Sequence, residues 1–158
     1  MEIDLQETVE CTEAPSKVWP SLLSPFAVTN MLGVADDVRP LSVDAPDDGL
    51  GAVRGHTFKI VGLGGGLYHA RIDAIEEPHR VVYAVWRDDT PDQPALFELS
   101  LETVEGVTEL TGSLSVDLPV EMIFAGFSGL LMPFLEPIAR KYTEHRLREH
   151  LTKLATSD

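Results

Sequence analysis

The chain has 158 residues, 44% of them hydrophobic and 24% charged, which is the balance of one globular domain with a core and not that of a disordered chain. Its formal net charge is -14, from 26 acidic against 12 basic residues, and without a compensating basic stripe this disfavours nucleic acid and anionic headgroup surfaces as partners. One cysteine, Cys11, excludes an internal disulfide and a multi-thiolate metal site, and no uninterrupted apolar run reaches the ~18 residues of a membrane span.

The opening, Met1 to Leu5, lacks a basic region followed by an apolar one, so a cytoplasmic location is expected. Acidic doublets fall at turn-like places: Asp36-Asp37, Asp47-Asp48, Glu76-Glu77 and Asp88-Asp89. The imbalance fits a salt-rich cytoplasm, in which screening removes most self-repulsion, and equally an ordinary acidic surface.

Residues alternate from Ile3 to Cys11, with Ile3, Leu5, Glu7, Val9 and Cys11 on one face, as in a half-buried strand. Cys11, flanked by Glu10 and Glu13, lacks the electropositive setting of a reactive thiol and reads as core filler. Pro15 suits the first turn of a helix whose core side is Val18, Trp19 and Leu22. A second short helix, carrying Phe26, Val28, Met31 and Leu32, runs to Gly33 as C-cap.

Six strands follow, near Val38–Asp44, Ala52–Val61, Leu67–Glu76, Arg80–Arg87, Ala95–Glu105 and Val107–Leu118, separated by turn chemistry. Their connections are short, so neighbours should pair antiparallel. From Pro119 the period becomes helical, with Phe127, Leu131, Phe134, Ile138, Tyr142 and His145 along one face and a kink or break expected near Gly129–Pro133. The order is strand, two helices, six strands, long helix: an α+β domain in which an antiparallel sheet of about seven strands folds over the last helix.

The segment Ala14-Pro15-Ser16-Lys17-Val18-Trp19-Pro20-Ser21-Leu22-Leu23, following a strand, resembles the Ala-Pro-x-x-Val-Trp-x-x-Leu signature of the START-like (SRPBCC) superfamily. Within it the sequence is most similar to small polyketide cyclase/dehydrase-like and carbon-monoxide-dehydrogenase-subunit-G-like proteins. The resemblance spans essentially the whole chain in element order. It implies a helix-grip fold, a curved sheet wrapped around the C-terminal helix with an apolar cavity between, and a single domain over residues 1–158. It carries over no catalytic residue and calls for no cofactor.

Strand phase assigns the cavity walls. Phe58 and Ile60 face inward and bring Arg54 and His56 with them; Tyr68, Ala70, Ile72 and Ala74 share the inner side of the next strand. Phe97, Leu99, Leu101 and Thr103 point in, as do Thr108, Leu110, Leu114 and Val116. Both faces of Arg80–Arg87 are apolar, so the phase leaves Val82, Ala84 and Trp86 against Val81, Tyr83 and Val85 open; Trp86 is carried as a candidate wall residue. Phe124, Phe127, Leu131 and Phe134 close the cavity from the helix side. Loops 62–66, 88–94 and 118–121 should cluster there as a mouth. Small residues such as Ala70, Ala74 and Gly112 fit a hollow interior and a packed one alike.

Polar groups on apolar faces are the informative exceptions. Glu7 and Arg54 are expected to pair with each other at a sheet end. His56 and Tyr68 are the candidates to orient or protonate a ligand carbonyl or phenol. His145 and Glu149 lie one turn apart but make no metal site on that spacing alone. The glycine run 62–66 is no phosphate cradle, and Ser128 lacks the strand a nucleophile elbow needs. Three functions remain: a binding module for a small hydrophobic (lipid-like, aromatic or polyketide-like) molecule, a cyclase, dehydratase or aromatase acting in the same cavity, and an assembly or chaperone-partner protein. Oligomeric state is not legible.

Overall fold

The computed structural model describes residues 2–23, 26–29, 39–43, 57–61, 67–87, 92, 94–117 and 132–156. They form β1 (Glu2–Glu10), α1 (Pro15–Leu22), α2 (Phe26–Thr29), β2 (Arg39–Val43), β3 (Thr57–Val61), β4 (Leu67–Glu76), β5 (Arg80–Arg87), β6 (Ala95–Val104), β7 (Val107–Asp117) and α3 (Met132–Ala155). The strands make one antiparallel sheet in the order β1-β7-β6-β5-β4-β3-β2, so a meander from β2 to β7 is completed by β1 returning beside the last strand. α3 packs on β1 and β7, and α1 packs on β6 and α3.

Local chemistry explains these boundaries. α1 starts at Pro15, where a missing N–H costs nothing, and buries Val18, Trp19 and Leu22 at helical spacing. β6 turns into β7 through Glu105 and Gly106, at φ 49° and 83°. Two positive-φ residues between register partners Val104 and Val107 are what a type I′ hairpin turn demands. β1 alternates as expected: Asp4, Gln6, Thr8 and Glu10 are exposed, while Leu5, Glu7, Val9 and Cys11 are half-buried. Leu5, Val9 and Cys11 pack against the core, and burial pushes the Cys11 thiol pKa up.

Several expectations are corrected. β4 carries a bulge between Ile72 and Ala74: Ile72 pairs with Tyr83, Ala74 with Val82 and Ile75 with Val81. The extra residue reverses the alternation, so Ile75, and not Ala74, packs against the core. In β5 the phase that joins the core is Val81, Tyr83 and Val85; Ala84 on the other phase is also buried but lies outside that core. Trp86 has the opposite phase, pairing with His69, and the Arg71 guanidinium stands 5.5 Å from its ring centroid. Trp86 is therefore on the outer face. Thr103, one residue from the end of β6, is exposed.

The last helix also departs from its expected face. Its buried stripe is Leu147, His150, Leu151, Leu154 and Ala155. His145, read as continuing the inner face, has a side chain 70% exposed. At 3.6 residues per turn, His145 and Leu147 fall on nearly opposite sides of the helix. The second short helix is described only over Phe26–Thr29, and the expected break near 129–133 lies largely outside the described residues.

Candidate ligand-binding site

Across β4 to β7 the described inner face is largely apolar. Ala70 and Ile72 of β4, Val81, Tyr83 and Val85 of β5, Phe97, Leu99 and Leu101 of β6, and Leu110 of β7 are all buried. Fully burying side chains of this kind stabilises by about 1.5–3 kcal/mol each. α3 closes directly on part of this wall. A Cβ built on Gly112 would stand 2.7 Å from Leu151 Cδ2, 3.1 Å from Leu151 Cδ1 and 3.3 Å from Leu147 Cδ1. Gly112 is thus a close-approach position in packed core, not a sign of empty space.

Two residues further along β7, Leu114 is only half-buried, and so is its register partner Leu5 on β1. Ala95, before the fully buried Phe97, is half-buried as well. On β1 and β7 burial therefore falls from the Gly112 level to Leu5 and Leu114, while Phe97, the register partner of Leu114, and Val85, the register partner of Ala95, stay buried.

Besides the buried Thr108, three side chains with polar atoms are embedded in the core among the described residues. Tyr83, fully buried, donates its hydroxyl to the Leu22 carbonyl and ties α1 to the sheet. Burial pushes its pKa far up, so it stays a neutral phenol. His150 Nε2 lies 2.6 Å from the Ala27 carbonyl, tying α3 to α2, and its ring is tilted against Phe97 with centroids 6.0 Å apart. Burial lowers the His150 pKa to about 4, with Lys153 and Arg146 adding to the effect against the Ala27 bond. The third group is Trp19, whose Nε1 has no hydrogen-bond partner among the described residues; neither has His150 Nδ1.

The candidate residues read from strand phase divide as follows. Ala70, Ile72, Phe97, Leu99 and Leu101 stand together on the buried inner face, and Leu114 lies half-buried at its margin. Register places Phe58 opposite Ala70 and Ile60 opposite Tyr68. Phe134 is in the first turn of α3. Arg54, His56, Phe124, Phe127 and Leu131 lie outside the described residues, as do the three mouth loops for the most part. Glu7, half-buried, has Arg148 of α3 at 3.8 Å. His145 meets Glu149 at 3.4 Å on the exposed side of α3, and among the described residues no group of three or more ligand-type side chains could hold a metal. Sequence reasoning missed His150, whose available signal is its place in the Leu147–Leu151–Leu154 spacing; it reads Trp19 as core without a role for its Nε1 and leaves the phase of Tyr83 open.

The outer face carries a shallow depression of about 520 Å³ across β1, β7, β6 and β5. It is lined by Asp4, Leu5, Gln6, Val82, Leu96, Ser113, Leu114 and Ser115, with Arg80 held to Glu98 at 3.0 Å, so Leu5 and Leu114 border this depression as well as the core. Leu96 is 46% exposed there.

No family model and no curated protein matches the sequence. Solved structures do match the fold along nearly the whole chain. Protein CV1439 from Chromobacterium violaceum superimposes with a TM-score of 0.59 at 14% identity, covering 96% of this chain and 94% of its own. The Aha1 dimer from Colwellia psychrerythraea gives 0.58 at 14% identity, over 97% of this chain and 96% of that one. Ara h 8.0201 gives 0.50 at 12% identity, over 96% and 99%. The fold is START/Bet v1-like. At these identities the likeness is one of architecture: an antiparallel sheet with a C-terminal helix packed on it. No helix among the described residues is long and apolar enough to cross a membrane.

Proposed function

We propose that the protein binds a small hydrophobic molecule, lipid-like, aromatic or polyketide-like, between the inner face of its sheet and α3, in a helix-grip arrangement. The observation that carries this reading is the graded seal of the inner wall. Leu147 and Leu151 fill the level of Gly112, whereas Leu5, Ala95 and Leu114 beyond it are only half-buried. An apolar wall that outruns its packed lid is the kind of surface on which a ligand completes the burial. The START/Bet v1-like fold supports the same place.

The ligand would lie on the 114 side of the Gly112 level, where Phe97 and Leu114 form the wall. Arg54, His56, Phe58, Ile60, Tyr68, Phe124, Phe127, Leu131 and Phe134 are proposed to complete it. His56 and Tyr68 are the proposed polar contacts.

The test is native mass spectrometry of protein purified from its own host. A co-purifying small molecule whose binding is weakened by Leu114→Glu or Phe97→Ala supports the reading. A ligand-free chain that also takes up no fluorescent fatty-acid or naphthalene-type probe, with or without those changes, overturns it.

A further inference from the structure

β1 is an end strand of the sheet, and its backbone bonding shows which way its free edge faces. Cys11 N–H donates to the Thr108 carbonyl at 2.8 Å, one step beyond the register pair Glu10↔Glu109. Bonded and non-bonded pairs alternate along an antiparallel ladder, so Val9, Glu7 and Leu5 also turn their N–H and C=O groups to β7. Those of Glu2, Asp4, Gln6, Thr8 and Glu10 point the other way. Arg140 of α3 agrees with this direction: its guanidinium donates to the Asp4 carbonyl at 3.3 Å. Among the described residues, that is the one hydrogen bond on this edge. The register runs from Glu2 to Glu10 without a bulge, and no proline interrupts the strand. Regular edges of this kind are templates for a further strand unless charge or a covering element protects them.

The protection here is one-sided. β1 carries Glu2, Asp4, Glu7 and Glu10, β7 beside it carries Glu109 and Asp117, and neither strand contains a lysine or arginine. Glu2, Asp4 and Glu10 are exposed, with Gln6 and Thr8 exposed between them. We propose that the outer edge of β1 is a docking surface for an extended basic segment of another protein, which adds to the sheet as a further strand. A second copy of this chain fits poorly. Two β1 edges joined antiparallel about Gln6 would set Glu2 opposite Glu10 at both ends, between chains that each carry a net charge of -14. Cations at those positions are attracted instead, and Arg140 already rests a guanidinium on this edge.

Strand geometry also defines the partner's pattern. Its alternate side chains would stand beside Asp4 and Glu10 on the outer face, and beside Leu5 and Val9, both half-buried, on the inner one. The segment therefore alternates basic and apolar residues. From Gln6 to Glu10 the edge is open, while Arg140 shortens it at Asp4. None of this depends on the ligand proposed above.

The test titrates the ¹⁵N-labelled full chain with a short peptide of alternating lysine and valine, and with its glutamate–valine counterpart, following amide exchange residue by residue. The lysine peptide should slow exchange of the outward Gln6 and Thr8 amides and leave Glu7 and Val9, already bonded to β7, unchanged. Molar salt should remove the effect, and the glutamate peptide should have none. Gln6→Pro deletes an outward N–H and no ladder bond, so it should weaken binding about three- to tenfold. Arg140→Ala should tighten binding more than Lys141→Ala, which removes the same charge from an exposed position of α3 without freeing the Asp4 carbonyl. No protection of Gln6 and Thr8 in the wild-type chain overturns the proposal, and this readout decides alone if Gln6→Pro does not fold. Equal binding to a folded Gln6→Pro chain overturns it too, since that is adsorption to an acidic surface. So does concentration-dependent protection of the same amides without peptide, which makes a second copy the occupant.

Discussion

Leu151 fills the space in front of Gly112: its Cδ2 would be 2.7 Å from any Cβ placed there. Because Leu147 and Leu151 are fully buried, the clash cannot be relieved into solvent. Gly112→Ala should cost about 1–3 kcal/mol despite the better strand propensity of alanine. Combined with Leu151→Ala it should cost less than the sum of the two changes, since the second makes room for the first. Urea unfolding of the four chains checks this; strict additivity would show that the two positions do not press on each other.

Tyr83→Phe removes the hydroxyl that donates to the Leu22 carbonyl and deprives that buried acceptor of this bond. A loss of about 1–3 kcal/mol is expected. Hydrogen exchange should quicken first in α1, which the bond ties to β5. Unchanged stability with unchanged α1 protection would contradict the anchoring role.

His150 gives a pH dependence with a definite sign. Its folded pKa of about 4 lies below the ordinary histidine value of 6.5, so the unfolded chain binds the proton more readily than the folded one. The associated stability is fully present above pH 6.5 and is lost as pH falls toward 4, at up to about 1.4 kcal/mol per pH unit. The difference in stability between the wild-type chain and His150→Gln should therefore shrink between pH 7 and pH 4. Parallel stability curves across that range would refute burial of the neutral ring.

Like charges are paired across the outer face: Glu10 lies opposite Glu109, and Glu109 opposite Glu102. Facing carboxylates of this kind destabilise a sheet by roughly 0.2–1 kcal/mol per pair, and salt screens them. With a net charge of -14, Tm should rise with sodium chloride, and Glu109→Gln should raise Tm at low salt while flattening that rise. A thermal scan that stays level from millimolar to molar salt would contradict this and the salt-rich setting with it.

Much of the architecture was legible because local chemistry and global pairing agree. The bounds of β4 and β5, the Pro15 start of α1 and the Glu105-Gly106 turn follow from periodicity and turn residues, which act over a few positions. What escaped depends on neighbours distant in sequence. In β5, Val81 and Val82 are chemically alike, and only register against β4 and β6 selects the buried phase. The β4 bulge gives no sign in Arg71-Ile72-Asp73-Ala74, because a single inserted residue leaves both phases plausible. On α3 the apolar spacing of the first half was extended to His145, although the buried stripe of the second half runs through Leu147 and Leu151. On the inner face, strand phase places Phe97, Leu99 and Leu101 where they are buried, but it does not say which part of the wall α3 closes; that depends on where Leu151 lands.

β1 is paired to β7 from Glu2↔Asp117 to Glu10↔Glu109. On a ribosome, the first nine-residue strand would emerge long before the strand that completes it exists. The nascent amino-terminal stretch must wait, with Leu5 and Val9 exposed, until β7 has left the exit tunnel. Such late closure between distant segments slows folding and lengthens the window for mispairing with other chains. The carboxylates of Glu2, Asp4, Glu7 and Glu10 along that waiting strand would help keep it from joining the wrong partner.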